Sequence, residues 1–187
     1  MSDLYDRDRT LDLLHEFTKT ESLRRHAYAV SAAMRAAAAR TGNDATYWAA
    51  VGLLHDFDYE MYPEAPDHPL KGAEILRERG YPEDFVRTIL SHASYTEVPR
   101  ENDCAKWLFA VDELCGFCMA CAMVQPDQKI ASVKVKSVKK KLKKKDFAAK
   151  VNREEIAEGA ADLGLERDEI IEHVLQALVP VADDLGL

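Results

Sequence analysis

Apolar residues along this chain recur every three or four positions, the period of an α-helix with one face in a core. The segment AVSAAMRAAAAR is rich in alanine, the strongest helix former, and predicts a helix running to about residue 40. Thr18-Lys19-Thr20-Glu21 reads as the capping box that opens it. Gly42-Asn43-Asp44 closes that helix and caps the next, which carries Trp48, Val51 and Leu54 at helical spacing. Pro63 and Pro66 force a loop over residues 62–67, and Pro69 suits the first turn of a helix ending near Gly80. Pro82 starts another, with Phe85, Ile89 and His92. Asn102 or Asp103 caps a long helix over about 105–124, stopped by Pro126. Asn152, with Glu155 three residues on, caps a later one, and residues 167–185 carry Ile170, Ile171, Val174 and Leu178 on one stripe. VKVKSV alternates like a strand, but Val135, Val138 and Leu142 follow the helical i, i+3, i+7 spacing. The pattern predicts an all-α bundle: a helical core over 1–126 and a small C-terminal helical extension over 127–187 packed on it.

Composition narrows the setting. The chain has 187 residues, 47% of them hydrophobic, which is enough for a core of one domain. No apolar run reaches the roughly 18–20 residues of a membrane span, so no membrane partner is expected. The polar start, MSDLYDRDRT, lacks the pattern of a secretory signal. Four cysteines are too few for a disulfide scaffold, and a cytoplasmic location is expected. A net charge of −8 argues against a nucleic-acid polymer as partner. The charge is uneven, however: nine lysines fall within 134–150, where Asp146 is the lone acid. That run is either a solvated helix face or an electropositive edge for an anionic partner. Cys115, Cys118 and Cys121 repeat every three residues and are read as core packing rather than as a metal cluster.

The chemistry sits in Leu53-Leu54-His55-Asp56-Phe57-Asp58, where an apolar run delivers an imidazole and a carboxylate side by side at a helix end. Both are suitable ligands for Zn, Mn, Fe or Ni. His26 lies in the preceding helix, and Asp112 lies within the apolar stretch LFAVDEL. A carboxylate so placed is costly to bury unless a cation or a basic side chain compensates. The ordered pattern His26, His55-Asp56, Asp112 on three helices resembles the HD-domain superfamily, over roughly residues 20–125. The resemblance implies that these four residues hold a divalent metal and that the chain hydrolyses phosphoesters. Some members of that superfamily add two histidines between the His-Asp pair and the last Asp, for a second ion. His68 and His92 stand in that order here, and the sequence leaves one or two ions open.

On that resemblance the expected activity is a metal-dependent phosphohydrolase acting on a small phosphoester or nucleotide through metal-activated water. The metal set is His26, His55, Asp56, His68, His92 and Asp112, with one or two divalent ions of Mn, Fe, Zn, Ni or Co. No organic cofactor is implied. Asp56 would act directly, Asp58 or Glu60 would position water or accept a proton, and Lys71 would hold a phosphate as a point charge. His15 and His173 fall outside the pattern and are expected at the surface or core edge. Two alternatives remain: an HD-fold di-iron oxygenase with the same six ligands, and a non-catalytic module that binds an anion or partner through the basic helix.

Overall fold

The alanine-rich stretch forms α2 (Glu21–Thr41), the axis around which the rest is arranged. In the computed structural model, which describes residues 2–187, 70% of the chain is helical and no strand occurs among the described residues. Before α2 comes α1 (Arg7–Phe17), capped by the Asp6 carboxylate. After it come α3 (Ala45–Leu54), α4 (Asp67–Glu78), α5 (Glu83–Leu90) and α6 (Asp103–Met123). The C-terminal part supplies α7 (Val135–Leu142), α8 (Arg153–Leu163), α9 (Arg167–Leu178) and the single turn α10 (Ala182–Leu185). Asp44, Asn102 and Asn152 cap α3, α6 and α8, each accepting from backbone N–H groups that a helix start leaves unpaired.

Two details differ from the expected punctuation. Thr20 is the N-cap of α2, yet no side chain there closes a capping box. Glu60 does that work from 40 residues away, accepting from the backbone N–H of Lys19 at 2.7 Å and of Thr20 at 2.9 Å. Thr18 instead turns inward and donates its hydroxyl to the Phe57 carbonyl at 2.9 Å. The last stripe also breaks once. Pro180 has no N–H to give, and a 3-10 turn at Val179–Val181 separates α9 from α10.

α2 packs against α3, α6 and α9, and α8 lies along α6. Val30, Met34, Leu54, Leu108, Leu114, Val138, Ile156, Ile170 and Val174 belong to one continuous buried core, so the helices after residue 126 share the core of those before it. Full burial of each large side chain contributes about 1.5–3 kcal/mol. Two close approaches set the geometry near the chemistry. A Cβ on Gly52 would lie 2.9 Å from the Val30 carbonyl oxygen, so glycine lets α3 press onto α2 beside His26. A Cβ on Gly159 would lie 2.6 Å from the Ala110 Cα, so α8 meets α6 backbone to backbone two residues before Asp112. No helix among the described residues is long and apolar enough to cross a membrane.

Candidate metal centre

Five helices deliver one cluster. His26 stands in the second turn of α2, and His55 is the C-cap of α3 with Asp56 directly after it. His68 opens α4, His92 follows the end of α5, and Asp112 projects from the middle of α6. Ligand atoms of His26, His55, Asp56 and Asp112 all lie within 4.8 Å of one another, as do those of Asp56, His68 and His92. The Asp112 Oδ1 is 3.0 Å from His26 Nε2 and 3.3 Å from His55 Nε2. Asp56 splits its carboxylate. Its Oδ2 faces His55 Nε2 at 3.5 Å and His26 Nε2 at 3.9 Å, while its Oδ1 is 3.2 Å from the Nε2 of both His68 and His92.

Three of the four imidazoles are anchored from behind. His55 donates Nδ1–H to the Gly52 carbonyl at 2.8 Å, His92 to that of Ile89 at 2.6 Å, and His68 to Asp58 Oδ1 at 2.9 Å. Each anchor fixes the tautomer and turns Nε2 toward the carboxylates, as metal-binding histidines are held. The Nε2 of His55 is wholly buried and finds no hydrogen-bond partner, an expensive arrangement for a polar atom unless a cation takes its lone pair. Electrostatics agree. Burial works against charge on His55, yet the Asp56 and Asp112 carboxylates outweigh it and hold the ring up at about 10. His68, buried beside Asp56 and Asp58, is likewise held up at about 9. Burial pushes both ligand carboxylates up, and the facing histidines more than reverse this and hold them low. The cluster therefore demands positive charge, and its N and O donors suit a divalent transition metal.

Residues 23–115 match the family model of the HD domain. The chain belongs to the HD-domain superfamily. HD domains bind divalent metals, and most are metal-dependent hydrolases acting on small phosphorylated substrates. No curated protein and no solved structure matches the chain significantly.

Within this HD domain the residues outside the two clusters take other places. Asp58 is 1% exposed and has both oxygens engaged: Oδ1 by His68, and Oδ2 by the backbone N–H of Gly72 at 2.9 Å. Buried and tied to both groups, it stands behind His68 rather than at the open side of the cluster. Lys71 is not brought to the cluster. His68 and Pro69 have non-helical backbone angles, so regular helix starts only after them and Lys71 does not stack above His68. Its ammonium is exposed and donates to Glu74 at 2.9 Å. Glu60, committed to the α2 terminus, is not at the cluster either.

The mouth holds residues that sequence reasoning missed. His26, Asp56 and Asp112 keep 21%, 24% and 18% of their side chains exposed, which is the open side of the site. Tyr59 sets its ring edge-on to His68, with centroids 5.2 Å apart, and Tyr95 donates its hydroxyl to the His68 carbonyl at 2.6 Å. Both tyrosines are otherwise exposed. Glu113 follows Asp112, and burial and then the Asp112 charge push it up to about 7. Glu155, on α8, is raised by burial and by the same charge. Position beside Asp112 was a usable signal for Glu113. For Glu155 there was none, because only the α6–α8 packing brings it near. The four cysteines are buried and free, with burial raising their thiols, as core packing requires. His15 pairs with the Tyr28 hydroxyl at 2.7 Å, and His173 is buried against Trp107.

Proposed function

We propose that this protein is a phosphohydrolase with a two-ion centre, acting on a small phosphoester such as a nucleotide. The observation that carries the reading is the divided carboxylate of Asp56, one oxygen facing His26 and His55, the other facing His68 and His92. His26, His55, Asp56 and Asp112 would hold one ion, and Asp56, His68 and His92 the other. When bound, divalent ions there would supply a water with its pKa lowered to about 7 and positive charge to offset the negative charge building on the phosphate. The chain's own residues do the rest. Carbonyl and carboxylate anchors on Nδ1 keep three imidazoles aimed. Asp58, tied to the Gly72 amide, orients His68. The phosphate enters over the exposed edge of Asp56 and Asp112, and Tyr59 and Tyr95 offer flat surface beside it for the organic part of the substrate. Free, buried cysteines fit a cytoplasmic setting.

The test is metal analysis of protein purified without chelator, then hydrolysis of a phosphoester and nucleotide panel by wild type and Asp56→Asn. The expected outcome is about two ions per chain and turnover in wild type, with both lost in Asp56→Asn and helicity by circular dichroism retained. Unchanged metal content and rate in the variant would refute the assignment. Oxygen consumption by an iron-loaded, phosphatase-inactive protein would place it instead with the di-iron oxygenases.

A further inference from the structure

α2 has a second working face. His26 points to the metal centre, whereas Tyr28, Ser31, Ala32, Arg35 and Ala39 fall about 120–180° away around the helix at 100° per residue, with Ala36 at the edge of that face. That side is the floor of a separate cavity of about 710 Å³, walled by α3 on one flank and by α9 with its following turn on the other. The hollow exists because the floor carries alanine and serine where larger side chains would fill it. Its volume is in the range of small-molecule pockets, roughly 300–1,000 Å³.

Two polar groups there lack partners. Arg35 is exposed and has no carboxylate partner among the described residues, although Glu172 and Asp184 also line the cavity, and Arg40 nearby is held by Glu169 at 3.5 Å. His173, on the α9 wall, is only 8% exposed. It donates Nε2–H to the Ala33 carbonyl at 3.0 Å, and its other ring nitrogen makes no hydrogen bond among the described residues. Burial, then Arg40, keeps the ring neutral, so this nitrogen is an acceptor. A free acceptor on a largely buried ring and an exposed guanidinium without a carboxylate partner, set at an apolar floor, are complementary to a molecule with an apolar body, an acidic headgroup and a hydrogen-bond donor.

We propose that this cavity binds a small aromatic or aliphatic carboxylate, with Arg35 taking the carboxylate, His173 accepting a hydrogen bond and Ala32, Ala36 and Ala39 receiving the apolar body. The site is independent of the metal centre, which lies across the thickness of α2, and does not rest on the phosphohydrolase reading.

Calorimetric titration of the metal-replete full chain with 2-naphthoate and with neutral 2-naphthamide tests it. A planar carboxylate on a guanidinium makes charge-assisted, bidentate bonds, so the naphthoate should bind saturably and the amide about tenfold more weakly. Arg35→Ala should weaken naphthoate about tenfold, to the level of the amide. Ala36→Phe, a change at the half-buried edge of the cavity floor, should abolish binding by filling it, with metal content and helicity by circular dichroism unchanged. Wild type that binds no naphthoate, or binding that persists in Ala36→Phe as it would at the metal centre, overturns the proposal. So does equal affinity for acid and amide.

Discussion

Gly72→Ala is the sharpest probe of how the second histidine pair is held. Gly72 lies inside α4, where alanine ordinarily stabilises a helix by about 1 kcal/mol over glycine. Here the added Cβ would sit 2.7 Å from Asp58 Cγ and 2.8 and 3.0 Å from its two oxygens. Carbon atoms in good contact are about 3.5–4.0 Å apart, so the Asp58 side chain must move. Moving it breaks its bonds to the Gly72 amide and to His68 Nδ1, each at 2.9 Å in a buried setting. Hydrogen bonds to a charged group contribute about 1.5–3 kcal/mol each. Losing one or both and gaining the helix propensity leaves a net loss of about 0.5–5 kcal/mol. For a chain of this size that lowers Tm by about 2–4 °C per kcal/mol. The consequence for the site is separable from stability. An imidazole that loses its anchor binds metal about 10–100-fold more weakly, and only the His68–His92 position should suffer. Unfolding in chelator gives the stability change, and metal titration gives the stoichiometry, expected to fall from two ions toward one. A variant more stable by about 1 kcal/mol that still binds two ions tightly would show that helix propensity dominates and that Asp58 is not what holds His68.

Gly159→Ala should cost about 1–3 kcal/mol in chemical denaturation, because its Cβ would meet the Ala110 Cα at 2.6 Å and lift α8 from α6; a neutral or stabilising result would contradict that packing. His173 is lowered by burial, with its Nε2–H on the Ala33 carbonyl and Arg40 as the facing charge that lowers it further. The unfolded chain therefore takes up a proton first, and the stability His173 contributes is present above about pH 6.5 and lost as pH falls below it. The stability difference between wild type and His173→Gln should shrink on acidification, and a difference flat from about pH 8 to 5 would contradict this. Lys71→Ala should leave metal content, kcat and KM unchanged, since the ammonium is exposed and paired with Glu74; a raised KM for phosphoesters would return Lys71 to the substrate site.

The helices were legible because their signals are local. Asp44, Asn102 and Asn152 cap as their positions say, and the stripe through Ile170, Ile171 and Val174 is buried as its spacing says. The convergence of the six histidine and aspartate side chains could be anticipated because an ordered set of such residues on apolar helices is rare. What failed was every inference that carried a short-range rule across an interruption. The box at Thr18–Glu21 gave way to Glu60, a partner no local window contains. Lys71 was projected from His68 by helical spacing, yet the backbone at His68 and Pro69 is not helical. Asp58 was read by its nearness to Asp56 in the chain, whereas its neighbours in space are His68 and Gly72.

Asp56 and Asp58 show why nearness along the chain misleads at such a site. They are two residues apart in a tight turn after α3, and chemically alike. Asp56 meets four imidazole nitrogens on the open side of the cluster, while Asp58 turns into the protein toward α4. The turn thus puts the carboxylate shared by both imidazole pairs and the carboxylate that anchors one of those imidazoles on a single segment. Glu60, at the far end of the same turn, pins that segment to the first turn of α2, the helix that carries His26. Three acids at alternate positions therefore take three places: one faces the imidazole cluster, one anchors His68, and one ties the turn after α3 to the start of α2. Productive geometry at a ligand or catalytic constellation generally has to be held to within about 0.5 Å, and here the acid farthest from the cluster helps tie together the segments that carry it.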